Sequence, residues 1–336
     1  MIVPLLKCFN PSLPPIFILR NSAVKSAPTS LNRIAAIDIG TNTILLLASA
    51  WDGKTLHPLL EKERIARLGE GVHQRATLSK EAMERGLQVL KEYLTDCQRL
   101  GIQRVFAAGT SALREARNAN EFLNEVKEKL NLSIDIISGE EEARLSYLAV
   151  SKDLKEEAKR ILVADVGGGS TELILGFREK MTHWVSLPMG SVRYTEQFLH
   201  SDPVRPKEWR EMENEIEKTL ENASSFQTPD LMVSVGGTAT TLAQVEMGLS
   251  EFNPRKIHHF KLTQEAIRRQ ILLYRSKTQE QRKTIQGLSP LRADVILAGA
   301  TILYKIMETM NCHEVMISCH GVRYGLLYSK LSNTAK

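Results

Sequence analysis

From Ile34 onward, short apolar runs separated by turn residues predict a series of strands. The run IAAIDIG predicts a buried strand, TNTILLLASAWDG predicts a second strand after a tight turn, and TLHPLLEKERIARL predicts a third. Each run is too short for a helix that crosses a core, and a glycine or a polar turn ends it. The N-terminal part of the chain therefore predicts a three-stranded meander.

Helical and strand patterns alternate after this meander. The segment LSKEAMERGLQVLKEYLTDCQRL has apolar residues at helical spacing on one face, and Ser79 is a candidate N-cap. QRVFAAGTSALREA predicts a strand followed by a loop, and NEFLNEVKEKL predicts an amphipathic helix. SIDIISG then predicts a strand, and EEEARLSYLAV predicts the start of another helix.

The opening pattern recurs in the second half of the chain. RILVADVGGGSTELILGF repeats the order strand, glycine-rich turn, strand, and MTHWVSLPMGSV predicts a third strand. The helical EWREMENEIEKTLENASSF, the strand LMVSVGG and the helix start TATTLAQV follow. This duplication predicts two α/β lobes that face each other across a cleft. We expect residues 33–139 with 322–333 to form the first lobe and residues 140–321 the second.

Composition adds limits on class and compartment. The 336 residues are 43% hydrophobic, which suffices for a sizeable core, and no apolar run has the length of a membrane span. The cysteines are sparse, which favours a reducing compartment, and the two Cys-His pairs match no common zinc spacing. Residues 1–32 are proline-rich and contain no acidic residue, so we expect a disordered leader.

The two turns carry the candidate chemistry. Asp38 precedes the turn Gly40 to Asn42, and Asp165 precedes the turn Gly167 to Ser170. Glycine turns allow backbone N–H groups to converge on an anion such as phosphate. Two carboxylates at about 5 Å would repel each other by about 3 kcal/mol at an effective dielectric of about 20, and a divalent cation between them reverses that sign. The sequence therefore predicts a metal-phosphate site, and Glu172 on the returning strand is a further candidate ligand.

Several segments resemble, in order, those of the exopolyphosphatase/guanosine pentaphosphate phosphohydrolase family: AAIDIGTNTILLL, GTSALREARN, IISGEEEARLSYLAV, ADVGGGSTELILG, LPMGSVRYTEQF, SVGGTATTLA and GLSPLRADVILAG. The resemblance covers roughly residues 33–330, and IISGEEEARLSY is its most discriminating segment. It is to the short form of the family, without a C-terminal helical domain. It implies two duplicated ribonuclease H-like lobes of the actin, sugar-kinase and heat-shock ATPase superfold.

The resemblance also implies roles for individual residues. The glutamate that acts as general base in the family corresponds to Glu142. The acidic residues next to the metal in the family correspond to Asp38, Asp165 and Glu172. The phosphate contacts of the family fall on both turns and on an arginine: Gly40, Thr41, Asn42, Arg114, Gly167, Gly168, Gly169 and Ser170. The implied reaction is hydrolysis of the terminal phosphate of polyphosphate, of pppGpp or of both.

Alternatives remain open at this stage. Glu140, Glu141 and Glu142 are all first-turn carboxylates, and the residues alone do not choose among them. Arg193, Arg292, Asp294 and Arg323 fit an interlobe ion pair as well as a substrate contact. Residues 251–289 carry nine Lys or Arg against three Glu, which fits either attraction of an anionic substrate or a solvated helical face. A kinase and a nucleotide-gated scaffold of the same superfold are the alternative functions.

The expected cofactor is Mg²⁺ or Mn²⁺, and a monovalent cation is a further candidate beside it. We expect a cytoplasmic homodimer that binds polyphosphate or guanosine pentaphosphate, without a nucleic-acid or membrane partner.

Overall fold

The computed structural model describes residues 32–154, 159–223 and 225–332. The expected leader lies outside the described residues except at Asn32, where the first strand begins. In the described part of the chain, no helix is long and apolar enough to cross a membrane.

The first sheet has the strand order β3-β2-β1-β4-β5. The first three strands form an antiparallel meander, and β4 and β5 add to β1 in parallel. The strands are β1 (Asn32–Ile39), β2 (Thr43–Trp51), β3 (Leu56–Ile65), β4 (Arg104–Gly109) and β5 (Ile134–Ile136).

The second sheet repeats this order and adds one edge strand. Its order is β10-β11-β9-β6-β7-β8, in which β6, β7 and β8 form the antiparallel meander, and β9 and β11 continue it in parallel. The strands are β6 (Arg160–Val166), β7 (Thr171–Phe177), β8 (Lys180–Leu187), β9 (Leu231–Val235), β10 (Lys261–Thr263) and β11 (Glu314–Ile317). The predicted duplication and the two-lobed α/β fold are confirmed.

Helices cover the faces of both sheets. In the N-terminal part they are α1 (Val72–Arg75), α2 (Lys80–Arg99), α3 (Ser111–Glu115), α4 (Ala119–Leu130) and α5 (Gly139–Leu154). The later helices are α6 (Ser191–Phe198), α7 (Pro206–Leu220), α8 (Gly236–Glu246), α9 (Pro254–Ile257), α10 (Gln264–Arg275), α11 (Gln279–Arg282), α12 (Ile296–Thr309) and α13 (Val322–Ser332). Short 3₁₀ turns lie at Glu221–Ala223 and Pro290–Arg292.

The side chains of β1 alternate between two cores, as a strand with two covered faces requires. Ala35, Ile37 and Ile39 pack in the core that contains α2 and α4 residues. Ile34 and Ala36 pack on the opposite face with residues of α5 and α13. Helix α13 packs on β1, β2 and α5, and α5 also packs on the second sheet. These two helices therefore lie between the sheets; the predicted domain bounds themselves stay a prediction.

Local signals were accurate where a capping residue or a long periodic pattern was present. The Ser79 side chain accepts a hydrogen bond from the Ala82 N–H, which makes it the N-cap of α2. The segment after β4 was expected to be a loop, and that expectation is wrong, because it forms the short helix α3. A helix of this length shows no 3.6-residue pattern in its sequence.

Candidate functional site

The two predicted turns have the same backbone geometry. The N–H of Gly40 donates to the carbonyl of Thr43 at 3.0 Å, and the N–H of Gly167 donates to the carbonyl of Ser170, also at 3.0 Å. Asp38 and Asp165 lie two residues before these glycines, at the end of β1 and of β6. The duplicated sequence thus brings two matching Asp-Gly turns to corresponding edges of the two sheets.

The turns touch each other across the interface between the lobes. A Cβ on Gly168 would lie 3.0 Å from Cβ of Thr41, and a Cβ on Gly169 would lie 2.8 Å from Oγ1 of Thr41 and 2.6 Å from Oγ of Ser111. Glycine is required here by the close approach of the two lobes. The cleft beside the turns encloses about 130 Å³, far more than one water molecule occupies.

The structure brings most of the predicted site residues together along this cleft. Arg114 and Glu172 are not in the lining, but Arg114 donates to Glu142 and Glu172 is opposite Asp165, and both of these partners line the cleft. The lining contains these predicted residues: Asp38, Gly40, Thr41, Asn42, Glu142, Asp165, Gly167, Gly168, Gly169 and Ser170. No basic residue of the segment 251–289 belongs to the lining, and several of them form ion pairs elsewhere in the described part of the chain.

Only one of the three consecutive glutamates of α5 faces the cleft. Glu140 is exposed, and Glu141 pairs with Arg144 through two hydrogen bonds of 2.7 Å each. Glu142 is 7% exposed, and its Oε2 accepts a hydrogen bond of 2.7 Å from Nη1 of Arg114. Consecutive helical residues point about 100° apart, so only one of the three can face a given side.

The acids of the second lobe are held by hydroxyl groups. Oγ of Ser146 donates to Oδ2 of Asp165 at 2.9 Å, and Oγ of Ser186 donates to Oε1 of Glu172 at 2.8 Å. Asp165 and Glu172 are directly opposite each other in the β6-β7 register. In the first lobe, the residue at the corresponding position opposite Asp38 is the apolar Leu45.

Burial raises the pKa values of all four carboxyl groups, and the charges of neighbouring acids add to this effect in three of them. Burial, followed by the charges of Glu142 and Asp165, raises the pKa of Asp38 to about 8. Burial raises the pKa of Glu142 to about 7, although Arg114 acts in the opposite direction. Burial also raises the pKa of Asp165, and burial with the charges of Glu142 and Asp165 raises that of Glu172. Burial therefore disfavours the ionised form of each of these acids, and carboxyl groups perturbed in this way in a cleft are typical of functional sites.

Several polar atoms of the cleft have no hydrogen-bond partner within the described residues. They include Oδ1 of Asp38 and both side-chain atoms of Asn42, Oδ1 and Nδ2. Buried polar groups without partners are costly, and they occur where a ligand, an ion or a water molecule binds. Asn42 offers a donor and an acceptor, whereas Asp38 offers only acceptors while it is ionised.

The four residues left open as ion-pair or substrate candidates all form ion pairs. Arg193 pairs with Glu115 at 2.6 Å, and Asp294 pairs with Arg67 at 2.7 Å. Arg292 pairs with Glu63 and Arg323 pairs with Glu61, each at 2.5 Å. Arg292 and Arg323 also belong to the cleft lining.

Sequence reasoning missed a second group of side chains with metal-ligand chemistry, at the end of α5. Oδ2 of Asp153 lies 3.1 Å from Nε2 of His258 and 2.7 Å from Nε2 of His259, and the three ligand atoms lie within 4.8 Å of one another. The N–H of Cys319 donates to Nδ1 of His258 at 3.2 Å. Neutral His258 then carries its proton on Nε2, facing Asp153, so the carboxylate is already satisfied by ring N–H groups. The sequence separations gave no signal for this group.

The two lobes, with their paired glycine turns and the buried carboxylates in the cleft between them, define a two-lobed α/β enzyme. The sequence model of the Ppx/GppA phosphatase family matches residues 47–334, and the chain belongs to this family of enzymes.

Relatives with known names agree with this assignment. The chain is 29% identical over 309 residues to Exopolyphosphatase 1 of Mycobacterium leprae, covering 90% of this chain and 91% of that protein. It is 30% identical over 317 residues to the bifunctional 3-dehydroquinate synthase/phosphatase of Fusobacterium nucleatum, covering 89% of this chain but only 46% of that longer protein.

Solved structures give the same result at the level of the fold. The crystal structure of the Ppx/GppA family member of Aquifex aeolicus superposes with a TM-score of 0.78 at 35% identity, covering 91% of this chain and 100% of that chain. An exopolyphosphatase of Cytophaga hutchinsonii superposes with a TM-score of 0.83 at 27% identity, covering 90% and 98% of the two chains.

Proposed function

We propose that this enzyme removes the terminal phosphate from inorganic polyphosphate, from pppGpp or from both, by attack of a water molecule that Glu142 deprotonates. The observation that carries the proposal is the position of Glu142. Its carboxylate is buried in the cleft beside both glycine turns and is held by Arg114 at 2.7 Å. A positioned carboxylate whose pKa lies near neutrality is suited to general-base catalysis.

The two turns are the proposed phosphate-binding elements. Thr41, Asn42 and Ser170 add side-chain donors to the backbone N–H groups of the glycines, and the unpartnered Nδ2 of Asn42 fits a phosphate oxygen. Arg114 is outside the lining of the cleft and donates to Glu142, so we propose that it orients the base. Its expected contact with phosphate stays a prediction.

Asp38, Asp165 and Glu172 are the proposed holders of Mg²⁺ or Mn²⁺. The fit is supported by Oδ1 of Asp38, which has no partner among the described residues, and by the raised pKa values of all three acids. When bound, the divalent cation would neutralise phosphate charge and orient the terminal phosphate. The Asp153 group is a weaker choice for this cation, because its carboxylate already accepts two ring N–H groups.

In the proposed reaction, a side chain of this protein takes one proton from the attacking water. As the oxygen of water bonds to the terminal phosphorus, its proton moves to the carboxylate of Glu142, and the bond from phosphorus to the bridging oxygen breaks. The shortened chain and inorganic phosphate leave. Arg114 keeps Glu142 in one orientation and lowers its pKa, which favours the anionic form that accepts the proton.

The substrate is proposed from the family and from the named relative Exopolyphosphatase 1. We also propose the domain bounds, with residues 33–139 and 322–333 in the first lobe and residues 140–321 in the second. The homodimer, the cytoplasmic location and the monovalent cation are further proposals.

Phosphate release tests the proposal when it is measured separately with polyphosphate, pppGpp and ATP, each with Mg²⁺ and with EDTA. We expect release from polyphosphate or pppGpp with Mg²⁺ and little release from ATP. Transfer of phosphate from ATP to an added hydroxyl compound would favour a kinase, and tight ATP binding without turnover would favour a scaffold.

A further inference from the structure

Arg193 connects the second glycine turn to the first lobe. Its Nε donates to the carbonyl of Gly169 at 2.7 Å, and its Nη2 donates to both carboxylate oxygens of Glu115 at 2.6 Å. Glu115 is the last residue of α3, and Oγ of Ser111 donates to it at 2.8 Å. One guanidinium group therefore contacts a turn of the second lobe and a helix of the first.

Residues of α6 hold three carbonyl groups of this turn, those of Gly167, Gly168 and Gly169. The N–H of Ser191 donates to Gly167 at 2.9 Å, and those of Val192 and Arg193 donate to Gly168 at 2.9 and 3.1 Å. In a trans peptide, the N–H of the next residue points opposite to the carbonyl. The N–H groups of Gly168, Gly169 and Ser170 therefore point away from α6, and all three residues line the cleft.

The Gly169–Ser170 peptide differs from the other two in how it is held. Backbone N–H groups hold the carbonyls of Gly167 and Gly168, whereas a side chain, that of Arg193, holds the carbonyl of Gly169. The direction of the Ser170 N–H thus depends on which residue is at position 193. Arg193 is largely buried, with 16% of its side chain exposed, which limits its freedom to leave this contact.

Helix α3 uses adjacent residues for two different contacts. Arg114 donates to Glu142, and Glu115 accepts from Arg193. A Cβ on Gly169 would lie 2.6 Å from Oγ of Ser111, so the turn and α3 are also in direct contact. The same short helix therefore orients both the proposed base and the peptide that follows Gly169.

We propose that Glu115 and Arg193 are positioning residues, which set the Ser170 N–H against the terminal phosphate and fix it relative to Arg114 and Glu142. This inference rests on the function proposed for the cleft. Neither residue contacts the reacting atoms. Their contribution acts through the Gly169–Ser170 peptide, and a misplacement of about 1 Å in such a donor can cost about 10²-fold in rate.

Substitution of Arg193 by lysine distinguishes positioning of the Gly169–Ser170 peptide from a contact that only stabilises the two lobes against each other. Arg193→Lys keeps the charge and can still pair with Glu115, but a single ammonium group cannot reproduce both contacts in the same geometry. Glu115→Gln keeps a hydrogen-bond acceptor and removes the charge. The matched control is Glu196→Gln, on the same helix, because Glu196 also contacts the first lobe, at the Gly71 N–H and His73, away from the glycine turn.

The experiment measures kcat and KM for phosphate release, the melting temperature, and the binding of inorganic tripolyphosphate by calorimetry, all with the full chain. We expect Arg193→Lys to lower kcat by about 10²-fold, to weaken tripolyphosphate binding, and to change the melting temperature little. We expect the double variant Glu115→Gln with Arg193→Lys to be no slower than Arg193→Lys alone, because the two residues act through one peptide. Glu196→Gln should keep the wild-type kcat.

Normal kcat and normal binding in Arg193→Lys would overturn the inference, and so would losses that follow the melting temperature and recur in Glu196→Gln. If the wild-type chain releases no phosphate from any substrate, the proposed reaction fails. Weaker tripolyphosphate binding by Arg193→Lys would still support the positioning role in that case, and unchanged binding would refute it.

Discussion

Nη1 of Arg114 donates to Oε2 of Glu142 at 2.7 Å and to the backbone carbonyl of Ile137 at 3.0 Å, so one nitrogen ties the end of α3 to the start of α5. The contact supports the anionic form of a carboxylate whose pKa burial raises to about 7. The pair therefore combines orientation with control of protonation, which are the two properties that a general base needs.

Removal of the arginine should move the acidic limb of the pH profile. Arg114→Met removes the charge and the hydrogen bond that lower the pKa of Glu142, so the pH of half-maximal kcat/KM should rise by about one unit or more. The control is Arg144→Met, which removes the partner of Glu141 and should leave the limb in place. An unchanged limb in Arg114→Met would show that Glu142 does not govern the profile.

The metal-free protein should lose stability as the pH rises. Burial raises the pKa of Asp38 from 3.8 to about 8, so the folded chain binds more protons than the unfolded chain within that range. The stabilisation is complete below about pH 4 and is lost as the pH approaches 8. We expect a lower melting temperature in EDTA at pH 8.5 than at pH 6, a smaller difference in Asp38→Asn, and recovery with Mg²⁺. A wild-type pH dependence that Asp38→Asn leaves unaltered would contradict this explanation.

Asp165→Asn should weaken metal dependence and activity together. The substitution removes a negative charge that would balance the cation, while the Ser146 hydroxyl can still donate to the remaining oxygen. The Mg²⁺ concentration for half-maximal phosphate release should rise, whereas Asp230→Asn, on the exposed surface of the second lobe, should leave it unchanged. Full turnover of the wild-type protein in EDTA would rule out the cation in this account.

The close packing of α13 on α5 should depend on a glycine. A Cβ on Gly325 would lie 2.0 Å from the backbone oxygen of Leu145, and backbone cannot rotate away as a side chain can. Gly325→Ala should therefore destabilise the fold by about 1–3 kcal/mol or more in denaturant unfolding. Gly321→Ala is the control, because a Cβ there meets nothing within 4 Å. Equal stability of the two variants would mean that α13 does not pack as described.

Much of the fold could be predicted because its signals are local. The apolar runs around Asp38 and Asp165, each ended by a glycine turn, predict the two meanders, and Ser79 marks the start of α2. The rotation of α5 about its own axis, which decides which glutamate faces the cleft, could not be predicted in the same way, because tertiary packing sets it. One local signal was available in retrospect: Ser146, four residues after Glu142 on the same helical face, donates to Asp165.

Contacts between distant segments explain what the sequence left open, such as the role of Arg193, and what it missed, such as the group around Asp153. The pairing of Glu115 with Arg193 joins residues 78 positions apart, and the contact between Asp153 and His259 spans 106 positions. No sequence period links such residues, and each could equally have been a solvated surface charge. The fold places them together only after both sheets and the helices between them have formed.

The most direct test of the account is the turnover of Glu142→Gln. Glutamine keeps the size and can keep a hydrogen bond to Arg114, but it cannot accept the proton of the attacking water. We expect kcat to fall by about 10²–10⁴-fold with little change in KM, because the group acts chiefly in the transition state. Glu140→Gln and Glu141→Gln, on the exposed and ion-paired positions of the same turn, should stay close to the wild-type rate. A near-normal kcat in Glu142→Gln would contradict the central claim, whether or not either neighbour proves essential.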